Sequence, residues 1–310
     1  MSLKIAVGIP VFNDESFIEQ SVNNCLDVGY DYVVYLDDGS TDSTYEKLLY
    51  YTKNYDNILV LRNKDNSVSS NGTNRWKTVS LECAKFNPDW ITVRAADECL
   101  SFPAFNRGQN LFRKNLEYID SKGFNMVVFP YIHLWRSPFW YRVDGYWGGC
   151  RDGGSICAWK NHTGWEFNDK SGLHLGSHRP NRLKVESLIT HINDSPTFDP
   201  LSDKPIVVLH YGMSSTKHLS DKLDYQISTS LQLKNRAVGM PDFVPSPRFW
   251  NRYNGYKVAD ERNIILEKVK QLWYEDELPK EEKPAIIPLV SVIAKYDLKV
   301  AEEYAELYGR

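Results

Sequence analysis

YVVYLDDGSTDST, residues 32–44, runs from a β-branched and aromatic stretch into two adjacent carboxylates, Asp37 and Asp38, and then into a Gly/Ser/Thr turn that opens a helix. Acids at the carboxyl end of a strand lie where open α/β sheets bind ligands, and a carboxylate there accepts hydrogen bonds from N–H and hydroxyl donors. The other account of the same residues is a turn whose acids cap the following helix, since Ser43 and Glu46 have capping-box spacing.

Outward from this unit the first 133 residues repeat its plan: LKIAVGI, then an amphipathic segment over 15–26; YVVYL, then 43–53; NILVL, then 74–85; WITVR, then 103–120; and NMVVFPYI. Short, almost wholly apolar strands alternating with helices predict a mostly parallel sheet covered on both faces, with its strand ends facing one crevice. Residues 133–180 change character, with Trp135, Trp140, Trp147, Trp159 and Trp165 among Gly, Arg, Asp and His, and one clear strand, SICAWK. A late strand, IVVLH (206–210), precedes a long polar helix near 216–236. Helical patterns near 260–276 and 290–308 flank a Pro/Lys/Glu hinge at 279–284.

A chain of 310 residues with 42% hydrophobic content can bury a substantial core. Its net charge of −3 gives no basic footprint for bulk nucleic acid. Five cysteines, at 25, 83, 99, 150 and 157, form no close metal-type pair, so free thiols in a reducing compartment are expected. There is no charged-then-apolar leader and no apolar run near 18 residues, which predicts a cytoplasmic protein without a transmembrane segment. The sequons at Asn71, Asn161 and Asn193 are then background matches.

The first strand ends in GIPVFNDESF (8–17), where Pro10 fixes an extended exit and Asn13, Asp14 and Glu15 place polar groups before a helix; Ser16 and Glu19 again fit a capping box. A right-handed crossover makes the first two strands neighbours, so the 10–15 and 37–42 loops are expected to wall one pocket.

PVFNDE followed by LDDGSTDST resembles the family 2 glycosyltransferases, which have the GT-A fold, and the resemblance covers about residues 4–225. It implies an α/β, Rossmann-like domain over 1–236, with a nucleotide-sugar-binding half at 1–133, an acceptor and metal-completing half at 134–236, and a C-terminal helical extension at 237–310. It also implies that Pro10, Phe12, Asn13 and either Asp37 or Asp38 hold the base and ribose of a nucleotide-sugar donor. Within SSNGTNRW (69–76), Arg75 is the donor-facing residue, a guanidinium being suited to bidentate phosphate contact; the alternative is an ordinary surface arginine.

The family's acidic metal motif aligns with VRAADECL (93–100), where Ala95 replaces the first acid and leaves Asp97 and Glu98 to meet the metal and diphosphate. Asp97 is the metal ligand this implies, for Mn²⁺ or Mg²⁺ among carboxylate and phosphate oxygens. In VLHYGMSSTKHLSDKLDYQ (208–226), His210 ends an apolar strand and matches a family histidine that completes the metal site.

An inverting transfer also needs a group that takes the acceptor hydroxyl's proton. Where similar sequences carry a His-Glu pair, this one reads GLHLGSHRP (172–180), with Leu175 in the acid's place. Asp152, Glu166, Asp169, His174 and His178 stay open as bases, Glu166 or His174 being chosen. The tryptophan-rich stretch is read as an acceptor surface on which sugar rings stack, the alternative being core.

The resemblance thus implies a metal-dependent, inverting glycosyltransferase moving a sugar from a nucleotide donor, a UDP-sugar, to a saccharide or glycoconjugate acceptor. Ala95 and Leu175 motivate the alternative of a catalytically altered nucleotide-sugar or carbohydrate binding module on the same fold.

Overall fold

The computed structural model describes residues 2–63, 75–101, 111–129, 131–134, 140–142, 150–151, 157–166, 189–191, 207–211 and 286–288. They fall into two compact units, the first holding the described residues up to Ile132 and those from Cys150 to His210, the second holding 133–134, 140–142, 211 and 286–288.

The first unit is mixed α/β with a mostly parallel central sheet. Its strands β1 (Ile5–Val11), β2 (Tyr32–Asp37), β3 (Ile58–Arg62) and β4 (Trp90–Val93) are parallel, β1 lying between β2 and β4 and β2 between β1 and β3. Beyond β4 come β10 (Cys157–Lys160), antiparallel to both its neighbours, then β6 (Met126–Val128) and β11 (Ile189–His191), giving the order β11-β6-β10-β4-β1-β2-β3. Helices α1 (Ile18–Val28), α2 (Thr44–Thr52), α3 (Arg75–Ala84) and α4 (Leu111–Ser121) accompany the strands. Every residue of β1 is buried, as a central parallel strand covered on both faces requires.

Close packing of α3 on β1 depends on Gly8, where an added Cβ would lie 2.9 Å from Val79 Cγ1 and 3.2 Å from Cys83 Sγ. Trp76, Val79 and Cys83 of α3 join Ala6, Val34 and Trp159 in one apolar cluster. Trp159 is fully buried on β10 and packs edge-on against Trp165, with ring centroids 6.0 Å apart. The acceptor-surface reading therefore fails for Trp159, whose ring is core; Trp135 and Trp147 lie outside the described residues.

Neither expected capping box forms. Helix α1 begins after Phe17 and α2 after Ser43, with no side-chain cap at either position. At α2 the neighbouring acids serve instead: Asp42 Oδ1 accepts the Thr44 N–H at 3.0 Å and Glu15 Oε2 accepts the Ser43 N–H at 3.2 Å. These acids also complement the positive end of the helix dipole.

NMVVFPYI is not one strand. Its first part is β6 of the large sheet, and Tyr131–His133 forms β7 of a second sheet, ordered β5-β12-β7-β9 with β5 (Glu98–Ser101), β9 (Cys150–Arg151) and β12 (Val207–His210). A proline at 130 has no N–H to continue a ladder, which accounts for the division at this point in the sequence.

In the second unit β8 (Trp140–Arg142) pairs antiparallel with β13 (Ile286–Pro288). β13 is a strand inside the 237–310 stretch expected to be helical, while the helices expected near 216–236, 260–276 and 290–308 lie outside the described residues. Among the described residues no helix is long and apolar enough to cross a membrane. Cys25, Cys83 and Cys99 are buried free thiols.

Candidate functional site

Because β1 and β2 are parallel neighbours in register from Ala6↔Tyr32 to Val11↔Asp37, the loops that follow them emerge side by side. Asn13, in the left-handed region at φ 53, accepts the Thr41 N–H with Oδ1 at 2.8 Å and donates its own N–H to Ser40 Oγ at 3.0 Å. Asparagine tolerates this backbone region better than most residues, because its short polar side chain bonds locally. The Asp14 N–H reaches Thr44 Oγ1 at 2.9 Å, the Glu15 N–H reaches Asp42 Oδ2 at 3.2 Å, and Lys47 Nζ closes on the Glu15 carbonyl at 2.9 Å. The 10–15 and 37–42 loops are therefore one hydrogen-bonded body.

Within that body the two acids differ. Asp37 and Asp38 are both fully buried. Asp37 accepts the Ser40 N–H at 3.2 Å, and its other oxygen lies 3.1 Å from Arg62 Nε, at ion-pair distance but outside hydrogen-bond alignment. Arg62 is fixed in turn by donating to the Ser40 carbonyl at 3.0 Å and by lying 4.1 Å above the Tyr45 ring. Asp38 hangs its N–H on the Val11 carbonyl at 2.9 Å, and its Oδ1 accepts from Asn63 Nδ2 at 3.3 Å. Pro10 is buried within β1, Phe12 is half-buried, and Asn13 is exposed at the loop tip. Arg62 and Asn63 escaped sequence reasoning. The signal for them was their place at the end of NILVLRN, where a parallel β3 must set them beside the tip of β2.

The second group forms at the end of β4. Residues 95–98 make a turn in which the Glu98 N–H returns to the Ala95 carbonyl at 3.2 Å and Glu98 Oε2 accepts the Ala95 N–H at 2.6 Å. Glu98 thereby braces the turn from within, a role beyond the one implied for it beside Asp97, towards the metal and diphosphate. β5 then pairs antiparallel with β12 in the register Cys99↔Leu209 and Glu98↔His210. That register sets His210 Nε2 3.2 Å from Asp97 Oδ2, with side chains only 9% and 4% exposed.

Among the described residues no cluster of three or more His, Cys, Asp or Glu side chains is arranged around a common point. A carboxylate and an imidazole at contact distance are nevertheless a suitable half-site for Mn²⁺ or Mg²⁺, whose other positions phosphate oxygens and water can fill.

Arg75 opens α3, and its guanidinium lies 5.4 Å from the centroid of the adjacent Trp76 ring. Glu166 is exposed, two residues after Gly164, whose φ of 63 ends the short 3-10 turn Asn161–Thr163. His174 lies outside the described residues, as do Asp152, Asp169, His178 and most of SSNGTNRW. The structure thus brings Asn13 to the Asp37/Asp38 loop and His210 to Asp97.

A mostly parallel sheet whose first two strand tips interlock into an acid-bearing loop pair, with a carboxylate-imidazole pair after the fourth strand, defines the class as a mixed α/β protein with two polar groups at its strand ends. Residues 6–115 match the model of Glycosyl transferase family 2. Over 117 residues the chain is 28% identical to a poly(ribitol-phosphate) beta-glucosyltransferase of Bacillus spizizenii, covering 36% of this chain and 18% of the relative. Over 147 residues it is 27% identical to an uncharacterized glycosyltransferase of Mycoplasma genitalium, covering 44% of each. The chain thus spans less than half the length of either relative. Among solved structures, a mannosyltransferase from Pyrobaculum calidifontis in complex with GDP-Man and Mn²⁺ is similar at a TM-score of 0.38 and 10% identity, covering 100% of this chain and 88% of that one. Glucosyl-3-phosphoglycerate synthase from Mycobacterium tuberculosis with Mn²⁺ and UDP-glucose matches at a TM-score of 0.29 and 18% identity, covering 42% of this chain and 44% of that one.

Proposed function

We propose that this protein is a glycosyltransferase that moves a sugar from a nucleotide donor, a UDP-sugar, to a hydroxyl of a saccharide or glycoconjugate acceptor, with inversion at the anomeric carbon and with the aid of a divalent cation. The observation that carries the reading is the Asp97–His210 pair, nearly buried, on the same compact unit as the interlocked β1 and β2 loops. Of the paired acids, Asp37 or Asp38 meets the base and ribose of the donor, Asp37 being engaged also by Arg62 and the Ser40 amide and Asp38 by Asn63. Pro10, Phe12 and Asn13 shape the base and ribose side of the pocket, and Arg75 meets the diphosphate.

Asp97 and His210 would hold Mn²⁺ or Mg²⁺, which supplies Lewis-acid stabilisation of the leaving diphosphate. The acceptor oxygen forms its bond to the anomeric carbon as the bond to the diphosphate oxygen breaks on the opposite face. The acceptor's proton passes to a carboxylate or imidazole, and Glu166 or His174 takes that role. Free, buried Cys25, Cys83 and Cys99 fit a reducing, cytoplasmic setting.

A second reading, a nucleotide-sugar binding module without turnover, is favoured by one feature: with Ala95 at the first acid position and Glu98 bracing the turn, Asp97 is the one carboxylate the motif keeps for a metal. Mn²⁺ and a panel of nucleotide sugars separate the two. Nucleoside diphosphate release with a candidate acceptor is expected for the enzyme, whereas thermal stabilisation without release would establish the module. Asp97→Asn is expected to abolish the Mn²⁺-dependent rise in melting temperature and to lower turnover by on the order of 10²–10³-fold, the scale of one lost transition-state electrostatic contact. An undiminished Mn²⁺ response would remove Asp97 from the site.

A further inference from the structure

Arg94 is the last residue before the Ala95–Glu98 turn, and its side chain is fully buried. Arg62 and Arg113, by contrast, form ion pairs with aspartates, Arg62 with Asp37 at 3.1 Å and Arg113 with Asp31 at 3.0 Å. Among the described residues no carboxylate stands at ion-pair distance from Arg94. Its partners are main-chain carbonyls and a thiol. Nη1 donates to the Glu98 carbonyl in a very short contact and to the Ala95 carbonyl at 3.3 Å. Nη2 donates to the Ser21 carbonyl at 3.0 Å and to Cys25 Sγ at 3.0 Å, both on α1.

A guanidinium removed from water without a counter-ion is costly, and it persists only where its fork is matched by acceptors. An apolar residue would fill the same space without that cost. What an apolar residue would not do is tie both ends of the turn to a helix.

We propose that Arg94 is the positioning residue of the metal-binding turn. It clamps the Ala95 and Glu98 carbonyls from behind and anchors them to Ser21 and Cys25 of α1, so that Asp97 is held against His210. This rests on the reading of Asp97 and His210 as the metal pair. In a motif where Ala95 stands for the first carboxylate, one acid meets the cation, and its placement must come from the backbone beneath it. Glu98 braces the turn from within and Arg94 fixes it to the body of the domain. The planar fork is the part lysine lacks, since an ammonium cannot span acceptors on two elements in a fixed plane.

The test compares the unaltered 310-residue chain with Arg94→Met, Arg94→Lys and Cys25→Ala. Mn²⁺ affinity is read with UDP present, by electron paramagnetic resonance titration, beside UDP affinity without metal and the melting temperature. Groups that orient metal ligands from behind typically change metal affinity by about 10–100-fold. A loss of that size is expected for Arg94→Met and a smaller one for Arg94→Lys, with metal-free UDP affinity unchanged. Cys25→Ala, which removes one anchor and leaves the turn intact, is expected to lose about two- to threefold, and it decides the matter if the Arg94 variants do not fold. Wild-type Mn²⁺ affinity in folded variants, even with a lowered melting temperature, would overturn the proposal. Failure of the unaltered protein to bind Mn²⁺ would instead overturn the metal-pair reading and the proposal with it.

Discussion

At the tips of β1 and β2 the site residues are held by many bonds between loops that follow neighbouring strands, Asn13 to Ser40 and Thr41, Asp14 to Thr44, and Glu15 to Asp42 and Ser43. At the tip of β4 a four-residue turn meets a histidine from a distant strand, and their relation depends on the β5/β12 register and on Arg94. The first region is redundant, because no single hydrogen bond defines where Asp38 sits. The second is not, because a slip of one residue in the register would carry His210 to the opposite face of its sheet. The contrast implies that substitutions in the first region separate into stability effects and binding effects, whereas those in the second change both together.

The largest test of that separation lies in the paired acids. Asp37→Ala removes the acceptor for the Ser40 N–H and the partner of Arg62, and hydrogen bonds to a buried charged group are worth roughly 1.5–3 kcal/mol. Because Arg62 is a third exposed and keeps its contacts with the Ser40 carbonyl and Tyr45, a loss of about 2 kcal/mol is expected in urea unfolding. Asp38→Ala is expected to cost less stability and to weaken UDP binding at least about tenfold, with or without metal. Equal effects of the two substitutions on both measurements would show that the acids act as one unit, and the distinction drawn from Arg62 would fail.

How each region could be foreseen follows from the same contrast. Alternation of apolar strands with amphipathic helices sufficed for the parallel sheet, since β1 to β4 are short, covered on both faces and joined by helices that the 3.6-residue period reveals. The interlocking of the 10–15 and 37–42 loops followed from one handedness rule. His210 was reached through likeness to a known motif, because no local pattern encodes a register between strands so far apart in sequence. Arg62, Arg94 and the bracing contact of Glu98 were missed for a common reason: each charged side chain is turned onto main-chain or nearby groups, and composition does not distinguish an inward-turned charge from a solvated one. The capping box at α2 failed because Glu15 and Asp42, brought in by the loop pairing, reach the start of that helix first.

Gly8 probes the support beneath the first region. Alanine at this mid-strand position would gain about 0.4–1 kcal/mol by restricting the unfolded chain. Its Cβ, however, would press on Val79 Cγ1 at 2.9 Å, and a β-branched side chain on a packed helix has little room to turn. Overpacking of this kind costs roughly 1–3 kcal/mol, so a net loss of about 1 kcal/mol is expected for Gly8→Ala, with UDP affinity little changed. If UDP affinity fell tenfold while stability held, the loop body would be less independent of the sheet below it than its hydrogen bonds imply.

Beneath the second region the smallest effect concerns the thiols beside Arg94. Burial raises Cys25, partly opposed by the Arg94 guanidinium, and burial pushes Cys99 up to about 12 from an ordinary value of 9.0. A thiol whose folded value is raised keeps its proton in the native protein while the unfolded chain loses its own. Its contribution to stability is therefore whole below about 9 and declines as pH rises from there towards about 12. Half a unit above the free-thiol value this costs about 0.8 kcal/mol of stability for Cys99. Urea midpoints should accordingly be flat from pH 7 to 8.5 and fall beyond. Cys99→Ala should shallow that fall by the share of one thiol, whatever it does to stability at neutral pH. An unchanged slope in Cys99→Ala would mean that the thiol is reached by water in the folded state, and that the shell around Arg94 is looser than the loop pair at the tips of β1 and β2.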